Sequence, residues 1–575
     1  MIKYYNHFLI YYTLFIISIT SSNAQIDVNN IEIIRDNYGV PHIFSKTDAE
    51  LAYGLAWAHA EDDFETIQKA YLAGNNLLSK YIGIKGAGAD FLTQFIRSDE
   101  LINDLYESKI SIEYKKILEA YSQGINRFAE LNPDKVLIKE LFPLNPKKLL
   151  KYAQLQLFVS SEGDYWINKI IKNDLKYQVV DQSNNLYSNE ETRGSNVFGF
   201  NSSRTKDGNT YLAINTHQPL DGPVSWYEAH LSSEEGTNIL GALFAGSPHV
   251  LIGANENIAW SHTVNRPDKT DVFALEMHPK FKKKYRVDDN YYDLEEYKAS
   301  IFIKILGIPI KIKRKYYKSI YGPTLKNNSG YYSIRTPSLF EIRAMEQWWR
   351  MGKAKNFTEF YNIIKKNSLP GYNIGYADKN DTIFYISNGL IPKRKDGYDW
   401  KNVVPGNTKK TLWTEMYKTE ELPQVIQPKS GYFYNANHSP FLSTSKNENP
   451  KKDSFSKNMG FETYNNNRST RLYDLIEEKK ELDYNDFKKI KYDNSLPNPL
   501  SYSWMDINAL FDINPNRYPE ISNILIQIQK WDRKTDADSY GAGAYAIFYS
   551  KLRKYYRQIP EPKIFPKTFL IEALK

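Results

Sequence analysis

Cysteine is absent from all 575 residues, which excludes a disulfide framework, a thiolate nucleophile and cysteine-ligated zinc. Two hydrolase signatures are missing as well. There is no His-Glu-x-x-His for metal-assisted hydrolysis, and no Gly-x-Ser-x-Gly elbow for a serine that recruits a separate histidine and acid. The stretch from Gly541 to Ala546 follows polar residues rather than a strand, so it is a poor dinucleotide fingerprint. Past the N-terminus no apolar run is long enough to span a bilayer; the run from Ile239 to Ile252 is broken by Gly241, Gly246 and Pro248. The formal charge of +8 is scattered, in clusters as short as Lys282-Lys283-Lys284 and Lys311 to Lys315, so no coherent basic face for nucleic acid is predicted. The length suggests three or four domains, yet neither a repeat nor a Pro/Ser-rich linker divides the chain, and one large body is the alternative.

What is present begins with a leader. Lys3 precedes an apolar run from Phe8 to Thr20, and Ser22-Asn23-Ala24 forms a small-x-small ending. That pattern predicts a signal peptide over residues 1–24 and export to a bacterial periplasm or medium, with no stable membrane span. Residues 31–36 read as a strand, and Thr47 as the N-cap of a helix whose first turn is acidic. Helical patterning runs from Leu101 to Ala129 and from Leu149 to Ile171. The segment 181–192 is polar, unpatterned and turn-rich, as expected of an exposed loop. Beyond Ser195 strands dominate, including Tyr211 to Ile214, Trp226 to Leu231, Val250 to Ile252, Ile301 to Ile312, Tyr372 to Tyr376 and Tyr432 to Tyr434. Helices return at Tyr473 to Glu478 and Ile521 to Trp531. The fold class is α+β.

The stretch Arg193-Gly194-Ser195-Asn196-Val197-Phe198-Gly199-Phe200 is followed by Asn215-Thr216-His217-Gln218-Pro219, with Asp207-Gly208 between them. An Asp-Gly pair flanked by apolar runs is a hairpin signal. A two-residue turn there sets Ser195 opposite Leu220 and leaves His217 about 10 Å along the ladder. One hairpin end then carries both a serine after a glycine and a histidine.

These residues, with Trp226 to Leu231, Ile258 to Val264 and the opening run from Arg35 to Ile43, resemble the penicillin acylase family of N-terminal-nucleophile amidohydrolases. The resemblance extends over nearly all of the chain after its leader. It implies a four-layer αββα sandwich, a mainly helical small chain over 25–171, a spacer over 172–194, and a catalytic large chain over 195–575, the two chains forming a heterodimer from one precursor. The chemistry is coherent with that. An amide is a poor electrophile and needs an activated nucleophile, a base and donors for the oxyanion. A serine that becomes a chain terminus carries its own base, because an α-amine has a reference pKa of ~7.7–8.0. Attack of the same hydroxyl on Gly194 accounts for self-cleavage.

By resemblance, Ser195 is nucleophile and base, the backbone N–H of Val264 and the side-chain amide of Asn437 receive the oxyanion, His217 orients the serine or the scissile amide, and Arg468 lies near the amine. Asn435 competes with Asn437, and Arg471 with Arg468. No cofactor is implied for catalysis. Some family members bind a structural calcium, and Asp268, Thr270 and Asp271, with Glu162 from the small chain, stand where its ligands belong. Phe198, Trp226 and Phe244 are candidates for an apolar acyl pocket, and the substrate is an acyl amide such as an acyl-homoserine lactone or a β-lactam antibiotic. The family pattern usually runs beyond the point equivalent to Trp531-Asp532-Arg533, so a shortened, non-catalytic homologue or binding module that keeps the fold is the second reading.

Overall fold

The computed structural model describes residues 26–175, 194–305, 308–502, 506–556 and 567–575. The leader and most of the spacer therefore lie outside the described residues. Thr47 caps the helix Asp48–Gly74 as predicted, its hydroxyl accepting the Glu50 N–H while the Glu50 carboxylate accepts that of Thr47. The helical pattern around 101–129 resolves into two helices, Ser98–Lys109 and Ile112–Leu131, because Ser111 caps the second. The predicted strand from Ile301 to Ile312 is two strands, Glu295–Ile305 and Ile308–Ser319, paired antiparallel.

Nine strands form the largest sheet, in the order Glu32–Arg35, Pro41–Ser45, Tyr227–Ser233, Asn238–Leu243, Ile252–Asn255, Ile258–Thr263, Gly371–Asp378, Ile383–Gly389, Gln424–Ile426. Pro41–Ser45 joins Tyr227–Ser233 in parallel, so segments before and after Ser195 share this sheet. Helices Asp48–Gly74, Ile112–Leu131, Ala344–Lys353 and Phe357–Ile364 bury their apolar sides on one face of it, around Leu231, Trp260 and Tyr376.

A three-stranded sheet covers the opposite face. Its middle strand is Ser195–Phe200, flanked by Tyr432–Asn435 and Tyr211–Thr216. Alternation along a strand divides its side chains between two faces. Val197 and Phe433 point to Ala377 and Tyr385 of the large sheet, while Phe198, Phe200 and Tyr434 point outward to helices Asn467–Glu478 and Tyr484–Tyr492. The two sheets approach over Gly375, where an added Cβ would lie 2.4 Å from Val197 Cγ2. A further six-stranded sheet packs on helices Ala87–Phe95 and Gly163–Lys172, and the C-terminal helices enclose a core of their own around Leu525 and Phe548.

Candidate active site

Ser195 opens the middle strand of the three-stranded sheet and faces Thr216, not Leu220. The hairpin is wider than a two-residue turn because residues 201–206 leave the ladder to bond elsewhere. Ser202 is held by Asp381 at 2.6 Å, and the Arg204 guanidinium donates to the carbonyls of Ile476, Lys479 and Lys480 at 2.7–2.9 Å. The resulting register puts His217 immediately beyond the serine's partner. Its backbone N–H donates to the Gly194 carbonyl at 3.0 Å, and the Ser195 hydroxyl donates to the same oxygen at 2.7 Å. The carbonyl ahead of the serine is thus already polarised by two donors.

Asn437 lies just past the strand Tyr432–Asn435, in a left-handed conformation with φ +60°. Its Oδ1 accepts the Ser195 N–H at 2.6 Å, and its Nδ2 donates one hydrogen to the Val264 carbonyl at 2.8 Å, leaving the second free for another acceptor. Val264 follows the strand Ile258–Thr263 and is 40% exposed; its N–H has no hydrogen-bond partner among the described residues. Asn435, by contrast, is fully buried and its amide is committed to Tyr385 and the His438 carbonyl. Of the two asparagines, Asn437 alone borders the cavity.

Arg468 sits in the first turn of helix Asn467–Glu478, whose N-cap is Asn466. It donates to the Ser195 carbonyl at 2.8 Å, to Asn196 Oδ1 at 2.7 Å and to Asn437 Oδ1 at 2.9 Å. Arg471 turns away to pair with Asp493. Burial, and then the Arg468 charge, hold the His217 imidazole below its ordinary pKa, which keeps it neutral.

Gly194, His217, Val264 and Asn437 border a cavity of about 520 Å³, and Ser195 lies buried just behind them. Leu149 and Tyr152 of helix Pro146–Ser160 close one side. Trp226 and Phe244 stack at 4.3 Å in its wall, and the Trp226 indole N–H donates to the Thr216 carbonyl. Phe198 does not reach it: its ring lies on the outer face of its sheet against Phe487. His262 and Trp348 also line the cavity, joined by an indole hydrogen bond to the imidazole at 2.8 Å. His262 stands inside the motif that carries the family resemblance, but Trp348 has no signal beyond helical periodicity.

Of the four residues expected to hold calcium, Glu162 borders the cavity, while Asp268 and Asp271 are turned onto Arg394. Arg394 reaches Asp271 Oδ2 with Nε at 2.9 Å and Asp268 Oδ1 with Nη2 at 3.2 Å, and its Nη1 bonds the carbonyls of Asp268 and Asn458. Arg394 and Asp271 side chains are both fully buried. Thr270 donates its hydroxyl to the Ser161 carbonyl, and Glu162 begins helix Gly163–Lys172 at φ +62°. Burial, relieved by Arg394 and reinforced by the charges of Asp271 and Glu162, pushes the Asp268 carboxyl above the ordinary carboxylate range. With a guanidinium already between the carboxylates, the residues present do not fit a calcium ion in this arrangement.

The family model described as penicillin amidase matches residues 30–571. An acyl-homoserine lactone acylase PvdQ of Pseudomonas fluorescens is 23% identical over 394 residues, covering 63% of this chain and 50% of the relative. Penicillin G acylase of Escherichia coli is 22% identical over 520 residues, covering 72% of this chain and 60% of the relative. The chain spans about half the length of the acyl-homoserine lactone acylases it matches. Among solved structures, a thermostable penicillin G acylase from Alcaligenes faecalis in orthorhombic form superposes with a TM-score of 0.50 at 20% identity, covering 64% of each chain.

Proposed function

Because this chain belongs to the penicillin amidase family, we propose that it is an exported amidohydrolase whose nucleophile, Ser195, is freed by self-cleavage and then hydrolyses acyl amides. The observation that carries this reading is that Gly194, His217, Val264 and Asn437 border one cavity, with Ser195 and Arg468 hydrogen-bonded directly behind them. The succession of helices, large sheet, small sheet and helices supports a four-layer αββα body.

In the uncut chain the Ser195 Oγ attacks the Gly194 carbonyl carbon while the carbonyl oxygen gains charge beside the His217 N–H. The Gly194–Ser195 C–N bond breaks, the nitrogen takes the hydroxyl proton, and water hydrolyses the ester left on Oγ. The products are an upstream chain ending at Gly194, which still carries the spacer until a second cut removes it, and a large chain beginning at Ser195. They stay joined through the shared sheet, in which Pro41–Ser45 pairs with Tyr227–Ser233.

In turnover the freed amine, in its neutral form, takes the Ser195 hydroxyl proton, and Oγ adds to the carbonyl carbon of the substrate amide. The Val264 N–H and the free Asn437 Nδ2 hydrogen receive the alkoxide, an arrangement in which each donor is worth ~3 kcal/mol. The amide C–N bond breaks, the proton passes to the leaving amine, and water releases the acyl group as a carboxylic acid. The apolar cavity walled by Leu149, Trp226 and Phe244 takes the acyl chain. An acyl-homoserine lactone or an acylated β-lactam fits this division into apolar acyl part and polar amine part.

Intact mass of the purified protein tests the reading. Two chains are expected, the larger beginning at Ser195, with Ser195→Ala left uncut. Amine release from an acyl-homoserine lactone and from a phenylacetyl amide then ranks the two substrates. A single uncut wild-type chain that turns over neither would favour the non-catalytic homologue.

A further inference from the structure

The two oxyanion donors stand on separate sheets. Val264 ends a strand of the nine-stranded sheet, and Asn437 follows a strand of the three-stranded one. Direct contact between them is one hydrogen bond, from Asn437 Nδ2 to the Val264 carbonyl. Beneath it lies a polar network that neither substrate nor nucleophile touches.

Its centre is Asn435. The fully buried Oδ1 of this residue accepts the Asn437 N–H at 2.9 Å, the Thr263 hydroxyl at 2.6 Å and Asn373 Nδ2 at 3.2 Å. Asn373 Nδ2 also reaches the Thr263 hydroxyl at 3.0 Å. The other end of the Asn435 amide donates to the Tyr385 hydroxyl, which donates onward to Asn373 Oδ1 at 2.8 Å. Asn435, Tyr385, Asn373 and Thr263 therefore close a ring of hydrogen bonds. Every member is buried, where a satisfied polar network is rigid and a broken one is costly.

One amide oxygen in this ring holds the residue before Val264 and the backbone of Asn437 itself. The second bond is an Asx-type turn, and it fixes the left-handed backbone that aims the Asn437 side chain at the cavity. A donor pair works only at the spacing the alkoxide needs, and a displacement of about 1 Å costs on the order of 100-fold in rate.

We propose that Asn435, acting through Thr263 and Asn437, is the positioning residue that sets the spacing of the oxyanion donors. This rests on the reading of Ser195 as an acyl-amide nucleophile. Asn435 touches neither substrate nor nucleophile and acts only through its neighbours.

Asn435→Ala removes the acceptor that three donors share and is at risk of not folding, so the test is Thr263→Val, which keeps the β-branched shape and removes one arm of the network. Each protein is first shown by intact mass to be cut at Ser195, and its Tm is recorded. With an acyl amide that the wild type hydrolyses, Thr263→Val is expected to lower kcat by about 10- to 100-fold with KM within about twofold. Thr263→Ser, which restores the hydroxyl, is expected to recover most of that loss. An unchanged kcat in Thr263→Val, an equal loss in Thr263→Ser, or a rise in KM at constant kcat overturns the role given to Asn435 while leaving the enzyme reading intact. A correctly cut wild type that hydrolyses no acyl amide overturns the enzyme reading and this inference with it.

Discussion

Asn437 Oδ1 accepts the backbone N–H of Ser195 at 2.6 Å, so the side chain assigned to the oxyanion also grips the nitrogen of the bond to be cut. On the proposed mechanism one amide thereby serves two reactions in succession. Asn437→Ala should slow processing and, in whatever fraction is cut, lower kcat by about 100- to 1,000-fold. A time course of intact mass and steady-state kinetics on the cut fraction read the two effects separately. Normal values for both would remove Asn437 from the mechanism.

Gly194 lies against the Arg468 guanidinium, and a Cβ there would sit 3.0 Å from Cζ. Arg468 is held by three acceptors and has little room to retreat. Gly194→Ala is expected to slow processing by about tenfold or more, since misplacement of about 1 Å costs on that order or beyond. Turnover should equal that of the wild type once the spacer that ends at Gly194 has left.

The charge of Arg468 has a pH signature. A cation beside the freed Ser195 amine disfavours its protonated form and lowers its pKa below ~7.7–8.0. The proposed mechanism uses the neutral amine, so kcat/KM should fall on the acid side of that lowered pKa. Arg468→Met is expected to move the acid limb upward by on the order of one unit, while Arg468→Lys, which keeps the charge, should leave it near the wild-type position. A pH–rate profile with an unmoved limb in Arg468→Met would count against the amine as base.

His59, stacked at 3.9 Å on Tyr227, is held at a pKa of about 4 by burial, against an ordinary value of 6.5. Between those values the unfolded chain binds a proton that the native residue does not. Its contribution is therefore harmless above pH 6.5, and stability drains as the pH falls toward 4. Glu462, pushed up to about 7 by burial, acts in the opposite sense as the pH rises toward 7. The difference between wild type and His59→Phe isolates the imidazole. The variant should gain on the order of 1 kcal/mol relative to wild type for each pH unit below 6.5, with no such trend between pH 7 and 9, as read from urea midpoints.

Arg394 supplies the positive charge between Asp268 and Asp271. A chelator is accordingly expected to leave the wild-type Tm unchanged. Arg394→Met strands two buried carboxylates and should cost about 3–5 kcal/mol; millimolar calcium should then raise the Tm of the variant and not that of the wild type. A chelator-induced fall in the wild-type Tm would show that a metal is bound despite the guanidinium.

Local chemistry was legible where the partners are neighbours. Thr47 and Glu50 are three residues apart, and their capping box formed as read. The Asp207-Gly208 turn is present, with Gly208 at φ +71° and Asp207 accepting the Asn209 N–H. The register beyond it was not legible, because Arg204 is anchored by carbonyls some 270 positions downstream. Phe198 reads as pocket material by composition alone; a strand between two apolar layers offers an aromatic ring two faces, and packing selected the one against Phe487.

The sequence by itself determined the family and the alternation of helix-rich and strand-rich halves, since these reside in short motifs and in periodicities of a few residues. Tertiary structure alone decided which asparagine meets the cavity, which arginine meets the serine, and that Arg394 meets Asp268 and Asp271. Those outcomes depend on charge and hydrogen-bond pairing between segments tens to hundreds of residues apart. Such pairing is settled only when burial forces each polar group to find a partner.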